Sequence, residues 1–265
     1  MRPPPLPDAK KAYFLTEPAI IAGKGGINVS CDRKFVQQLP FFRHIAQMIS
    51  VVVPTFNAQE SLPRCFDSLI GATVHGVVRE VIVADGGSSD DTLTIADAAG
   101  ARVVHAGNSR VNQLAAGAKA ARYDWILFLY PETALAPGWD VEAGSFMSHV
   151  SFSKPHAATF TLAMEEFDTA SRRAESWASL RSKVFKLPFG EQGLLIGRKF
   201  YDTLGGFRET QMFDVDMARR IGAKRLVVLR ARAVGTAATR LATHYKPLLL
   251  VLHAMRFPTD SLMRL

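Results

Sequence analysis

Three segments of this sequence place acidic, amide or hydroxyl groups directly after an apolar run: Pro54-Thr55-Phe56-Asn57, Asp85-Gly86-Gly87-Ser88 and Tyr130-Pro131-Glu132-Thr133. In the second, Asp85 can accept hydrogen bonds from a base or a ribose but cannot favour a phosphate. Gly86 and Gly87 let the chain turn tightly and approach a ligand, and Ser89 or Asp90 can cap a following helix. Taken alone, Asp85 to Asp90 reads equally well as an ordinary strand-to-helix turn.

The elements that must position these groups are legible as changes of hydrophobic period. Ile49 to Val53 is a β-branched run that reads as a buried strand. Ala58 to Ile70 has apolar residues at helical spacing, with Gly71 as its stop. Glu80 to Ala84 is a second strand, and Asp90 to Ala99 a helix stopped by Gly100. Arg102 to His105 is a third strand, Arg110 to Ala121 an Ala-rich helix, and Trp125 to Leu129 a fourth strand. Apolar strands alternating with helices call for a parallel, doubly wound α/β sheet, and such sheets bind ligands beyond the carboxyl ends of their strands. The three polar segments occupy those ends.

Beyond Trp139 the pattern is mixed. A helix from about Asp140 to Ser148 precedes an extended run from His156 to Met164 and a helix from Ala170 to Phe185. Leu194 to Ile196 reads as a strand, Tyr201 to Leu204 as a helical turn, Asp214 to Ile221 as a helix and Arg225 to Leu229 as a last strand.

Taken together, Val51 to Asn57, Glu80 to Ser88 and Trp125 to Leu129 closely resemble the family 2 glycosyltransferases, in order and spacing, over roughly Ile49 to Leu229. Arg110, Gln113 and Gly117 match the linking segment of a bacterial subgroup, as do Gly190-Glu191-Gln192-Gly193 and Gly205-Gly206-Phe207. The resemblance implies a single GT-A-type domain over residues 49–235, with a mostly parallel sheet flanked by helices. It also implies a nucleotide-sugar donor lying over Pro54, Thr55, Asn57, Asp85 and Gly86, with Arg110 available to its phosphates.

Two departures bear on the chemistry that the resemblance implies. After the fourth strand the family has Asp-x-Asp, whose carboxylate holds a divalent cation (Mg²⁺ or Mn²⁺) that bridges the donor phosphates. Here the segment is Tyr130-Pro131-Glu132-Thr133, which leaves Glu132 as the candidate metal ligand or, alternatively, as a solvated residue in a turn. Further on, the family has a Glu-Asp pair in which one carboxylate deprotonates the acceptor hydroxyl. The sequence has Phe213-Asp214, so Asp214 is the candidate base, with helix capping as its alternative use. Asp216, two residues on, faces elsewhere on a helix.

The implied activity is transfer of a sugar to an acceptor hydroxyl, by inversion. A noncatalytic nucleotide- or glycan-binding descendant is the alternative that the altered motifs bring forward. A nucleotidyltransferase is disfavoured, because Phe56-Asn57-Ala58-Gln59 lacks a Gly-rich basic loop after the first strand. Arg110, Arg230 or Arg232 can balance the leaving diphosphate, and Trp177, Phe185 and Phe189 are candidates for an acceptor groove.

Composition bounds the rest. With 265 residues, 48% hydrophobic and 21% charged, the chain is globular rather than disordered. Residues 1–48 hold a proline cluster and a Gly-rich turn without periodicity, and form an extension of no assigned role. The net charge of +8 is concentrated from Arg219 onward, where ten basic residues face one acid, Asp260. Residues 236–265 are expected to form a basic amphipathic helical tail, able to touch an anionic membrane surface and a lipid-linked acceptor. Only Tyr245 and Phe257 fall among its basic residues, which is not the interleaving that a base-stacking platform requires, and this disfavours nucleic acid. No run approaches the roughly 20 apolar residues needed to span a bilayer, and the start lacks a signal-peptide core. A cytoplasmic protein, able to sit peripherally at the inner membrane, is the expectation. Cys31 and Cys65 match no metal or redox spacing.

Overall fold

A computed structural model describes residues 48–150, 153–166, 168–210 and 212–236. The expected N-terminal extension and basic tail lie outside them, apart from Met48 and Thr236. The described chain runs β1 (Ile49–Thr55), α1 (Leu62–Val74), β2 (Val78–Asp85), α2 (Thr92–Ala98), β3 (Arg102–His105), α3 (Arg110–Ala120) and β4 (Trp125–Phe128). It continues through β5 (Thr133–Leu135), α4 (Trp139–His149), β6 (Ala157–Met164), α5 (Thr169–Lys183) and a 3-10 turn (Gly190–Gln192). The last elements are β7 (Leu194–Gly197), α6 (Arg198–Thr203), α7 (Phe213–Ile221) and β8 (Leu226–Gly235).

All eight strands join one sheet in the order β3-β2-β1-β4-β7-β6-β8-β5. The first four are mutually parallel, as their alternation with helices predicts. Beyond β4 the sheet turns mixed: β7 is antiparallel to β4 and to β6, β8 is parallel to β6, and β5 is antiparallel to β8.

The apolar runs are continuous because both faces of the sheet are covered. With a period of two along β1, Val51 and Val53 join the cluster under α1 and α4, through Leu62, Cys65, Leu69 and Trp139. Val52 points the other way, into the cluster under α3 and α7, with Leu114, Ala118, Val215 and Ile221. Gly117 of α3 lies so close to β1 that a methyl group there would overlap Val52 Cγ1. That close approach accounts for a glycine in the middle of a helix, where it otherwise costs about 1 kcal/mol.

Several expectations need correction. Gly71 does not end α1; the helix runs on to Val74, and Gly76, at φ +74°, makes the turn into β2. The helix expected from Asp90 begins at Thr92, because the Asp90 carboxylate is spent ahead of it on the Thr92 amide and hydroxyl. β5 is not visible in the sequence, since three residues are too few for a period. β8 extends to Gly235 rather than stopping at Leu229, because its partners β6 and β5 pair with it along its length.

Candidate active site

Two loops at the carboxyl ends of β1 and β2 are laced together. Thr55 Oγ1 donates to Asp85 Oδ1 at 3.0 Å and Ser88 Oγ to the same oxygen at 2.5 Å. The amides of Gly87 and Ser88 donate to Asp85 Oδ2 at 2.8 and 2.9 Å. Burial pushes the Asp85 carboxyl up, but the hydrogen bonds from Ser88, Gly87 and Thr55 outweigh it and hold the group below its usual range. Four internal donors fill the lone pairs of Asp85. To bond a ribose it must exchange the Ser88 hydroxyl for the ligand.

Asn57, at φ +51°, completes the lacing. Its amide donates to Ser88 Oγ and its Oδ1 accepts from the Ser89 amide, both at 2.9 Å. One residue on, the Gln59 amide donates to Asp90 Oδ2 at 3.1 Å. These loops wall a cleft of about 650 Å³, lined by Asn57, Gln59, Arg64, Asp90, Pro131 and Glu132 among others. Of the residues expected to meet a donor, Pro54, Thr55 and Asp85 are buried, Gly86 is half-buried and Asn57 is exposed toward the cleft. Gln113 of α3 is buried against Gly86, where a methyl group would overlap its amide.

The second group of residues forms where β4, the 3-10 turn and α7 meet. Tyr130 Oη donates to Asp214 Oδ1 at 3.3 Å, and the Arg110 guanidinium lies 4.8 Å from the centroid of the Tyr130 ring. Gly190 is packed against both: a methyl group there would stand 2.5 Å from Tyr130 Oη and 2.8 Å from Asp214 Oδ2. Burial, and then the charges of Asp214 and Glu191, push the Tyr130 phenol well above its ordinary range, so it stays protonated and donates.

Asp214 itself is pushed up to about 7, by burial first and then by Glu191. Arg181 and the hydrogen bonds of Tyr130 and Gly190 oppose the rise without cancelling it. A carboxyl near 7 is matched to proton transfer at neutral pH. It does not cap its own helix: α7 has Met212 in that position, with no side-chain cap. Asp216 turns away and pairs with Arg220 at 2.6 Å, as its spacing predicts.

Glu191 and Arg181 join this group without having been singled out individually. Glu191 is half-buried and raised, by burial first and then by Glu132, against Arg110 and Arg181. Its motif, Gly190 to Gly193, is visible in the sequence, but nothing there shows that the turn lies between β4 and α7. Arg181 has no sequence signal at all, because its approach depends on how α5 packs. Of the three aromatics considered for an acceptor groove, Phe189 alone reaches this group; Phe185 is exposed, and Trp177 lines a separate depression on α5. Arg230 and Arg232 are exposed on β8.

The glycosyl transferase family 2 model matches residues 50–140, which hold β1 to β5 and both laced loops. Over this segment the chain is similar to the family 2 glycosyltransferases. The chain is 33% identical over 97 residues to a PGL/p-HBAD biosynthesis glycosyltransferase of Mycobacterium tuberculosis, covering 34% of this chain and 37% of that protein. It is 50% identical over 56 residues to the glucosyl-3-phosphoglycerate synthase of the same organism, covering 21% and 17%. The aligned stretches thus span well under half the length of these curated relatives. The fold extends further than the sequence match. A solved complex of the M. tuberculosis synthase with Mn²⁺ and UDP-glucose superposes with a TM-score of 0.58 at 18% identity, over 82% of each chain. S. aureus TarS (residues 1–349) superposes at 0.54 and 15% identity, over 81% of this chain and 68% of that one. The described chain therefore has the GT-A fold across both the parallel and the mixed halves of its sheet.

Proposed function

We propose that this chain transfers a sugar from a nucleoside-diphosphate sugar to an acceptor hydroxyl, with inversion at the anomeric carbon, and that residues 49–235 are its catalytic domain. One observation carries the reading: a carboxyl raised to about 7, Asp214, is oriented by Tyr130 and Gly190 beside the segment whose Glu132 lines the loop cleft. The mycobacterial synthase of similar fold binds Mn²⁺ with UDP or UDP-glucose, which supports the same class of donor here.

In this reading the base, nucleotide, sugar and leaving group have distinct places. Nucleotide and ribose lie over Asn57 and the Asp85-Gly86 turn, which Pro54 and Thr55 support from below. Asp214 takes the proton of the acceptor hydroxyl as its oxygen bonds to the anomeric carbon and the bond to the diphosphate breaks. Arg110 offsets part of the charge that leaves with the nucleoside diphosphate.

No cluster of three or more acidic, His or Cys side chains forms among the described residues, so a divalent cation here would rest on one or two carboxylates completed by the donor's phosphates. Glu132 and Glu191 lie within each other's electrostatic field, and Mg²⁺ sites typically use one or two carboxylates together with substrate phosphates. A cation held there would neutralise the diphosphate as it departs.

The test is calorimetric titration with UDP and with GDP, each with and without Mn²⁺, on wild type and Glu132→Ala. One nucleotide is expected to bind in a metal-dependent manner, with affinity falling by about tenfold or more in the variant. Metal-independent binding would remove Glu132 from the metal site, and absence of binding by both nucleotides would overturn the transferase reading.

A further inference from the structure

Arg181 is a buried cation whose Nε has no hydrogen-bond partner. It is 5% exposed, and its guanidinium is stacked 3.7 Å from the centroid of the Phe189 ring. Its Nε is buried with no partner, and among the described residues no ion pair includes its side chain. A guanidinium offers five donors in a rigid fork, and buried polar groups in folded proteins are nearly always satisfied. Burial lowers it to about 10, so it remains charged at neutral pH. The charges that act on it most are those of Asp214 and Glu191.

Placement separates this arginine from the donor cleft. Arg181 comes from α5, and Phe189, which its guanidinium covers, is followed directly by the Gly190 turn packed on Asp214. The cleft between the β1 and β2 loops is lined by other elements and does not include it. A fork held flat on an aromatic ring presents its edge to a planar or tetrahedral anion.

We propose that Arg181 binds an anionic group of the acceptor, a carboxylate or a phosphate, and so presents the acceptor hydroxyl to Asp214. This rests on the transferase reading for the word acceptor; that Arg181 takes an anion stands without it.

The test is NMR of the full-length chain, following the Arg181 Nε–Hε signal, assigned through its contact with the Phe189 ring. Glycerate, glycerol 3-phosphate and neutral glycerol are titrated with and without UDP and Mg²⁺. One or both anions are expected to shift the signal to saturation, and glycerol to leave it in place; which anion acts distinguishes carboxylate from phosphate. Arg181→Lys, checked for folding by thermal melting, keeps the charge and loses the fork. It should weaken anion binding by about tenfold while leaving UDP affinity within about twofold. No shift with either anion would overturn the proposal. A signal saturated by UDP and Mg²⁺ alone would also overturn it, by assigning Arg181 to the donor diphosphate. If UDP fails to bind at all, the transferase reading fails, and the anion titration without nucleotide still decides whether Arg181 takes an anion.

Discussion

Replacing Gly190 by alanine tests whether the turn between Phe189 and Gly193 sets the catalytic geometry. The added methyl group would stand 2.5 Å from Tyr130 Oη, 2.6 Å from its Cζ and 2.8 Å from Asp214 Oδ2. Relaxed heavy-atom contacts lie near 3.5–4.0 Å, so the phenol and the carboxylate must together retreat by about 1 Å. Tyr130 has little room to move, being buried with Arg110 over its ring. The displacement therefore falls on Asp214. A base misplaced by about 1 Å costs roughly 100-fold in rate, and overpacking costs about 1–3 kcal/mol of stability. Release of UDP from a UDP-sugar should show kcat/KM reduced by about two orders of magnitude, while nucleotide affinity, set by the loops around Asn57, stays within about twofold. A folded Gly190→Ala protein within about threefold of wild-type kcat/KM would refute this role for the turn.

Other outcomes follow from the same residues. The Asp214 carboxyl is raised in the folded state from 3.8 to about 7, so the native protein holds a proton that the unfolded chain releases between those values. Stability from this group therefore falls as pH rises through that window. Asp214→Asn should gain on the order of 4 kcal/mol at most over wild type at pH 8, and little at pH 4, in urea unfolding. Tyr130→Phe removes a hydrogen bond that lowers the Asp214 value, so the acid limb of the pH–rate profile should move to higher pH. Gly117→Ala should destabilise by about 1–3 kcal/mol through overlap with Val52, with the pH profile unchanged.

The parallel half of the fold was legible because its signals are local. Ile49 to Val53, Ile82 to Ala84 and Trp125 to Phe128 alternate with helices, and polar residues mark the strand ends. The mixed half was read as elements without an order. Nothing between Ala157 and Gly235 states that β7 returns antiparallel to β4, or that β5 closes on β8. The site follows the same division. Asp214 could be placed by its motif, but its environment is made by Glu191, Tyr130 and Arg181, which come from three different elements. Asp85 shows the converse, since its position was visible while its saturation by Thr55, Gly87 and Ser88 was not.

The basicity of Asp214 depends on where Arg181 is held. A direct, hydrogen-bonded ion pair with a guanidinium lowers a carboxyl, commonly by one to three units, and would leave Asp214 too weak a base near neutrality. Arg181 acts on Asp214 through space, and forms no ion pair with it, because its guanidinium is stacked on Phe189. Glu191 then tips the balance upward, with its own charge offset by Arg110 and Arg181. The tyrosine at 130 fits this arrangement better than a second acid. An aspartate there would add a further negative charge beside Glu191 and Asp214, whereas a phenol that stays protonated donates to Asp214 and orients it. One residue, Tyr130, thus stands where the family motif has an acid and, in the proposed reading, orients the base.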